Sequence, residues 1–373
     1  MEAGMIDVRK VTLHHLEMNL VSPFKNSRET VHRRESILVE LEDSSGSTGW
    51  GEVVAFSSPW YTEETIKTCH HMLTSFLIPD LLGQTFQHPE AYASSLQWIR
   101  RNQMAKASIE SAVWDLYAKL LGRPLADVLG GTRSQIDSGV VVGMAPAAMM
   151  LQKMEQHIDE GYKRIKVKIE PGMDVELLEE IRTRFPDIPL MADANSAYTL
   201  SDLGHLKKLD SYNLMMIEQP LGHDDIIEHA VLQAEIKTPI CLDESIITFN
   251  DAKNAIQLGS CGIINIKPGR VGGLAESKKI HDFCAEKGIP VWVGGMLETG
   301  VSRAHNIALA SLSGFSIPGD ISASSRYWEE DIITPEVKVD KGLIDVPAAA
   351  GIGFEIDRTK LEKYRTFKEE FTL

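Results

Sequence analysis

From about residue 138 onwards, short apolar runs of strand character recur between longer amphipathic stretches. The runs are VVVGM (140–144), RIKVKI (164–169), PLMADAN (189–195), LMMIEQP (214–220), PICLDE (239–244), GIINIKP (262–268), PVWVGG (290–295) and FSIPGD (315–320). Segments such as DVELLEEIRTRF (174–185), SDLGHLKKLD (201–210) and LAESKKIHDFCAEKG (274–288) carry apolar residues at helical spacing between them. Eight strands alternating with helices predict a closed parallel (β/α) barrel, with an open doubly wound sheet as the alternative.

The first third reads differently. VTLHHLEMNL (11–20) and SILVELE (36–42) alternate as strands do, and Ser44–Ser47 is a turn signal before TGWGEV (48–53). Residues 62 to 130 read as helices. Thr62 is placed to cap a helix starting at Glu63, and AKASIESAVWDLYAKLLG (105–122) is a long helix closed by Gly122 and Pro124. After the eighth run no clean helix follows. Residues 336–346 (EVKVDKGLIDV) read as a hairpin, so the tail is expected to leave the barrel and rejoin the first domain.

With 373 residues the chain has room for two domains, and 43% apolar and 24% charged residues are ordinary for a globular protein. The net charge of −15 argues against nucleic acid or an anionic membrane surface as the main partner. Cys69, Cys241, Cys261 and Cys284 form no CxxC pair and read as buried thiols of a reducing compartment. No signal peptide and no membrane-length apolar run is seen, so a cytoplasmic location is expected.

The chemistry sits where the strands end. Asp193 closes the third run, Glu218 the fourth and Asp243 the fifth, at intervals of 25 residues (218 − 193 and 243 − 218). Neighbouring strand ends of a parallel barrel lie side by side, so the three acids converge on its C-terminal face. One such acid would as readily cap a helix or pair with a lysine. Three together repel and call for a cation, and an all-oxygen donor set selects Mg²⁺, with Mn²⁺ tolerated.

The second strand carries Lys166 and Lys168, and the sixth carries Asn265 and Lys267. Each pair is spaced i, i+2 and so points to one side of its strand. Buried ammonium groups need partners. Either these lysines merely neutralise the acids, or they work with them. In the second case a small carboxylate substrate loses its α-proton to a lysine, and the cation stabilises the resulting enediolate. A neighbouring ammonium, the cation and desolvation are all expected to lower the pKa of such a lysine. Arg270, three residues past Lys267, either tunes that lysine or is a salt-bridged surface residue.

Lys166-Val-Lys168, Asp193-Ala-Asn195, Glu218-Gln219-Pro220, Leu242-Asp243-Glu244 and Asn265-Ile-Lys267-Pro268 together resemble the enolase superfamily, muconate-lactonising-enzyme subgroup. ASIESAVWDLYAKLLGRPLADVLG (107–130) is similar to the helical signature of that subgroup. The resemblance spans nearly the whole chain. It implies a (β/α)7β modified TIM barrel over 131–325, an α+β capping domain over 1–130, and a C-terminal segment (326–373) that packs back on the cap. It also implies Mg²⁺ on Asp193, Glu218 and Asp243, Lys168 as the base, and Lys267 as the acid/base or stabilising group on the opposite face. Lys166 would hold the substrate carboxylate and tune Lys168. Val167 would face away from the barrel interior. Asn195, Asn265 and Glu298 would contact the substrate, and Glu298 would alternatively orient Lys267 or cap the next helix.

Within the subgroup, GGMLETGVSRAHNIALA (294–310), KPGRVGG (267–273) and PGDISAS (318–324) resemble the branch of o-succinylbenzoate synthases and N-succinylamino acid racemases. The implied reactions are dehydration of a succinyl-hydroxycyclohexadiene carboxylate, a step towards menaquinone, and racemisation of succinylated amino acids. A homo-oligomer is implied as well. Dipeptide epimerases of the subgroup are expected to carry Asp-x-Asp where this chain has Asp320-Ile321-Ser322, which weighs against that reading. Selectivity is expected from the loops Ser22–Arg34 and Ala55–Tyr61. Arg28, Arg33 and Arg34 are candidates for a second, succinyl carboxylate, and Phe56, Trp60 and Tyr61 are candidate pocket walls. The rival outside this class is a non-catalytic small-molecule-binding barrel.

Overall fold

A computed structural model describes residues 4–25 and 30–373. Seven strands form one parallel sheet in chain order, from Gly139–Val142 through Arg164–Lys168, Leu190–Asp193, Ile217–Glu218, Ile240–Leu242 and Ile263–Ile266 to Val291–Val293. Their register sets Lys168 beside Asp193 and Asp193 beside Glu218. The eighth run makes only isolated bridges, Val291 to Phe315 and Ser138 to Gly319. Pro318 has no N–H to donate, which limits a longer ladder there. The N–H of Gly139 still reaches the Gly319 carbonyl at 2.8 Å and that of Asp320 reaches Val293 at 3.0 Å, so this segment closes the barrel. Only the short turn Ser324–Arg326 follows it directly, the helix Arg358–Tyr364 coming later in the tail, and the architecture is a (β/α)7β barrel with a cap.

Alternation along the strands sorts the side chains. Val140, Ile165, Val167 and Leu190 pack outward in the core shared with the helices. Met191, Met216, Cys241, Ile263 and Trp292 fill the barrel interior as a separate cluster. That plug leaves the C-terminal ends of the strands as the floor of a cleft.

The cap is an antiparallel sheet of Val8–Lys25, Thr30–Asp43, Thr48–Val53 and the C-terminal strand Arg365–Thr372. The tail therefore rejoins the N-terminal segment. The helix Gln103–Leu120 lies across this sheet, closely enough that a Cβ on Gly51 would sit 1.9 Å from the Ser108 carbonyl oxygen. The cap is tied to the barrel mouth by Glu52, whose carboxylate accepts the N–H groups of Thr299 (3.0 Å) and Ser302 (3.1 Å) at the start of Gly300–Ala310.

Several expectations are corrected. The helix after the 57–63 loop starts at Ile66 with Thr65 as its cap, not Thr62. Glu64 turns away to accept the N–H groups of Met104 (2.8 Å) and Ala105 (3.0 Å), capping the long helix instead. Residues 336–346 turn back as expected only at the Asp340–Leu343 bridge, and Leu343–Asp345 pairs instead along Gln135–Asp137. The 201–210 segment breaks into short turns around Leu203–Leu206, with the Asp210 carboxylate drawn to the N–H groups of Lys237 and Thr238. Much of the proposed Ser22–Arg34 loop is strand. All four cysteines are buried and unpaired. Among the described residues no helix is long and apolar enough to cross a membrane.

Candidate active site

The second barrel strand sends three cations inward at i, i+2 and i+4. Arg164 reaches Asp320 at 2.6 Å and lies over Trp292, 4.9 Å from the ring centroid. Lys166 is held by Asp320 (2.5 Å) and Glu218 (3.0 Å). Lys168, nearest the opening, donates to Asp193 Oδ2 and to Asn195 Oδ1, each at 2.6 Å. Burial works against the charged form of Lys166, but Asp320, Glu218 and Asp193 outweigh it and raise its pKa. Asp320 is depressed in return by Lys166 and Arg164, against its own burial. Asp320 is thus spent on two cations inside the barrel and is not free to grip a substrate ammonium.

The three acids occupy adjacent strand ends and are almost wholly buried. Burial and the neighbouring Asp193 charge push the Glu218 carboxyl up. Asp193 is pushed up by burial too, but Lys168 and Lys166 prevail and lower it. Glu218 Oε1 accepts from the Asn265 amide at 2.7 Å. Asp243 accepts from Lys267 at 2.9 Å, from the Tyr61 hydroxyl at 3.2 Å and from Arg270.

Lys267 stands opposite Lys168, just past the sixth strand. Its ammonium donates to the Tyr61 hydroxyl at 2.9 Å. Its pKa moves up rather than down: burial lowers it, but Tyr61, Glu218 and Glu244 act more strongly in the other direction. Burial alone works in the expected direction, and Tyr61 with the buried carboxylates outweighs it around this ammonium. Arg270 is buried and donates to the Ile246 carbonyl at 2.7 Å as well as to Asp243, so it is not a surface residue. Gly294 makes room beneath this group: a Cβ there would lie 2.2 Å from Asn265 Oδ1 and 2.7 Å from Lys267 Cε.

A cleft opens between the cap and these strand ends. Lys166, Lys168 and Asp193 line one side and Lys267 the other, with Asn195 at the rim. Phe24, Phe56, Trp60 and Tyr327 give it an apolar wall. Asn265 and Glu298 do not line it. Asn265 is enclosed against Glu218, and Glu298 accepts from the Met296 N–H (2.9 Å) and Asn306 (3.1 Å), bracing the loop after the seventh strand. Glu298 neither reaches Lys267 nor caps the next helix, which Thr299 does.

The arginine candidates separate. Arg28 lies outside the described residues. Arg33 is exposed and pairs with Glu17 at 3.0 Å. Arg34 is buried, donates to the carbonyls of Leu297, Glu35 and Val54, and stacks 4.4 Å over Phe56. Its donors are used in fixing the cap to the loop after the seventh strand, so it does not serve a succinyl carboxylate. Residues the sequence reading passed over are Arg164, Asp320 as a lysine clamp, and Tyr61 as a contact of Lys267.

Among the described residues no three acidic, histidine or cysteine side chains stand in the arrangement of a metal centre. Each acid turns an oxygen to an ammonium or guanidinium instead. The donor chemistry nevertheless suits a hard cation: three carboxylates at the ends of consecutive strands, all almost wholly buried.

Fold and site together define an enzyme of the enolase superfamily. The mandelate racemase / muconate lactonizing enzyme N-terminal domain matches residues 8–130, the enolase C-terminal domain-like family matches residues 149–360, and the chain belongs to this family. It is 60% identical over 368 residues to an o-succinylbenzoate synthase of Bacillus subtilis, covering 99% of both chains. It is 45% identical over 357 residues to an N-succinylamino acid racemase of Thermus thermophilus, covering 95% of this chain and 96% of that one. A crystal structure of an enolase-superfamily member from Listeria innocua superposes with a TM-score of 0.96 at 44% identity, covering 98% of this chain and 99% of that one.

Proposed function

We propose that the chain is an o-succinylbenzoate synthase that also racemises N-succinylamino acids in the same cleft. The observation that carries this reading is the pair Lys168 and Lys267, whose ammonium groups approach one cleft from opposite sides above three buried acids. Asp193, Glu218 and Asp243 would hold Mg²⁺, with Mn²⁺ tolerated, and the cation would offset the charge that builds on the substrate carboxylate as its α-proton leaves.

For dehydration, Lys168 in its neutral form removes the α-proton of the succinyl-hydroxycyclohexadiene carboxylate. The electron pair enters the carboxylate as an enediolate. It then returns to expel the ring hydroxyl, which takes back the proton carried by Lys168, leaves as water and yields the aromatic product. Lys166, held by Asp320, keeps a fixed positive charge beside the carboxylate. For racemisation Lys168 takes the proton from one face and Lys267 delivers one to the other. The apolar wall of Phe24, Phe56 and Trp60 excludes water from the enediolate. A dedicated racemase is the second reading, favoured by the two opposed lysines, which dehydration alone does not require.

The test is a dehydration assay following loss of the cyclohexadiene with added Mg²⁺, with EDTA, and with Glu218→Gln. The proposal expects turnover only with wild type and Mg²⁺. No turnover of the cyclohexadiene beside rapid racemisation would make the chain a dedicated racemase, and neither reaction would favour a binding barrel.

A further inference from the structure

Lys168 and Lys267 are held by different means. Lys267 is fixed by Tyr61 from the cap, whereas the partner of Lys168 other than Asp193 is the side-chain oxygen of Asn195. The Asn195 backbone sits in the left-handed region (φ 42°), and its N–H donates to Asp193 Oδ1 at 3.0 Å. Its side-chain amide has a definite orientation because both ends are dictated. The oxygen faces an ammonium, which can only donate. The nitrogen donates to Glu244 Oε1 at 3.1 Å, and a carboxylate can only accept.

Glu244 is almost fully buried, and its second oxygen has no hydrogen-bond partner among the described residues. It makes no hydrogen bond to a lysine among them, although its charge acts on Lys267. It lines a second chamber at the barrel mouth, shared with Ser196 and His223 and parted from the catalytic cleft by Trp60, Tyr61 and Asn195. A carboxylate buried there at the cost of desolvation needs a use, and its one side-chain hydrogen bond goes to the residue that holds Lys168.

We propose that Glu244 is the positioning residue for the proton-abstracting Lys168, acting through the Asn195 amide. Without Glu244 the amide can turn, placing N–H groups towards the ammonium and releasing Lys168 from its aim at the cleft. Lys267 has no contact with Asn195 and keeps Tyr61 and Asp243, losing only the Glu244 charge that helps to hold its proton. The role rests on the two-lysine reading above. It predicts a defect larger on the Lys168 side, which general damage to the site would not produce.

The experiment follows loss of the α-proton from each enantiomer of N-succinyl-phenylalanine in D₂O with Mg²⁺, by proton NMR. The enantiomer served by Lys168 is the one that Lys168→Ala silences. Glu244→Ala is expected to slow that enantiomer by about ten- to a hundredfold, the effect of a small misplacement of a reacting group, and to change the other by a clearly smaller factor. Asn195→Ala is expected to show the same asymmetry, and the double variant to be no worse than either single one. Equal slowing of both enantiomers, or additive losses, overturns the proposal. Crystal structures of wild type and Glu244→Ala give a readout that needs no substrate. Asn195 turned and Lys168 displaced beside an unmoved Lys267 support the role, and an unchanged Lys168 overturns it. If the wild type exchanges neither enantiomer, the functional reading fails and the crystallographic comparison alone decides the positioning claim.

Discussion

The hydroxyl of Tyr61, carried by the cap, stands 2.9 Å from the ammonium of Lys267, carried by the barrel. The same hydroxyl donates to Asp243 at 3.2 Å. One cap residue therefore joins a candidate catalytic group to a candidate metal ligand, and the cleft is complete only when the cap is seated. Hydrogen bonds to charged groups are worth about 1.5–3 kcal/mol, so Tyr61→Phe is expected to lower kcat for racemisation by about ten- to a hundredfold. Steady-state kinetics with both enantiomers check this, and an unchanged kcat would remove Tyr61 from the site.

Asp320 is the sole anion at 2.6 Å from Arg164 and the nearest at 2.5 Å to Lys166 among their described ion pairs. Removing it leaves the buried Arg164 without a carboxylate and Lys166 with Glu218 and Asp193 alone. Asp320→Ala is therefore expected to destabilise the fold by about 3–5 kcal/mol, read by urea unfolding followed through tryptophan fluorescence. Arg33→Ala, which breaks only the exposed pair with Glu17, is expected to change stability by less than about 1 kcal/mol. A similar small loss at Asp320 would contradict the clamp.

Burial pushes the Glu298 carboxyl up to about 8, although Arg303 and the Met296 N–H oppose it. The folded protein then keeps this proton where the unfolded chain, with an ordinary carboxyl near 4.5, has lost it. The stabilisation is fully present below the unfolded value and drains away as the pH rises from about 4.5 to about 8. Glu298→Gln holds a permanently neutral group in the same place. Between those pH values its stability is expected to fall less steeply than that of wild type, by up to about 1.4 kcal/mol per pH unit. Urea unfolding across that range checks the difference in slope, and parallel curves would contradict it.

Much of the site could be read from strand periodicity alone. Lys166 with Lys168, and Asn265 with Lys267, sit two residues apart, and parallel register brings Lys168, Asp193 and Glu218 side by side. The same alternation run one step back would have placed Arg164 inside as well. Its need for an anion would have pointed to Asp320, but the ion pair that reaches from the second strand to the closing segment is not visible in local pattern. The Tyr61 contact depends on where the cap docks, which no periodicity encodes. Arg34 and Glu64 show the opposite failure. By sequence Arg34 is a candidate for a substrate carboxylate and Glu64 falls in the expected first turn of its own helix, yet both are buried against distant backbone groups whose position only the tertiary fold supplies.

Gly294 tests how tightly the sixth strand is packed. Gly294→Ala would drive a Cβ against Asn265 and Lys267, so kcat is expected to fall with the fold intact, as checked by kinetics beside circular dichroism. Wild-type kinetics in a folded variant would show that Lys267 has room to move.

The central claim is that two lysines serve opposite faces of one substrate carbon. Proton NMR in D₂O with Mg²⁺, on each enantiomer of N-succinyl-phenylalanine, tests it most directly with wild type, Lys168→Ala and Lys267→Ala. The account predicts exchange of both enantiomers and racemisation by wild type. It predicts exchange of one enantiomer only by each variant, with the silent enantiomer reversed between them, and racemisation by neither. Racemisation surviving in either variant, or the same enantiomer silenced in both, would contradict it.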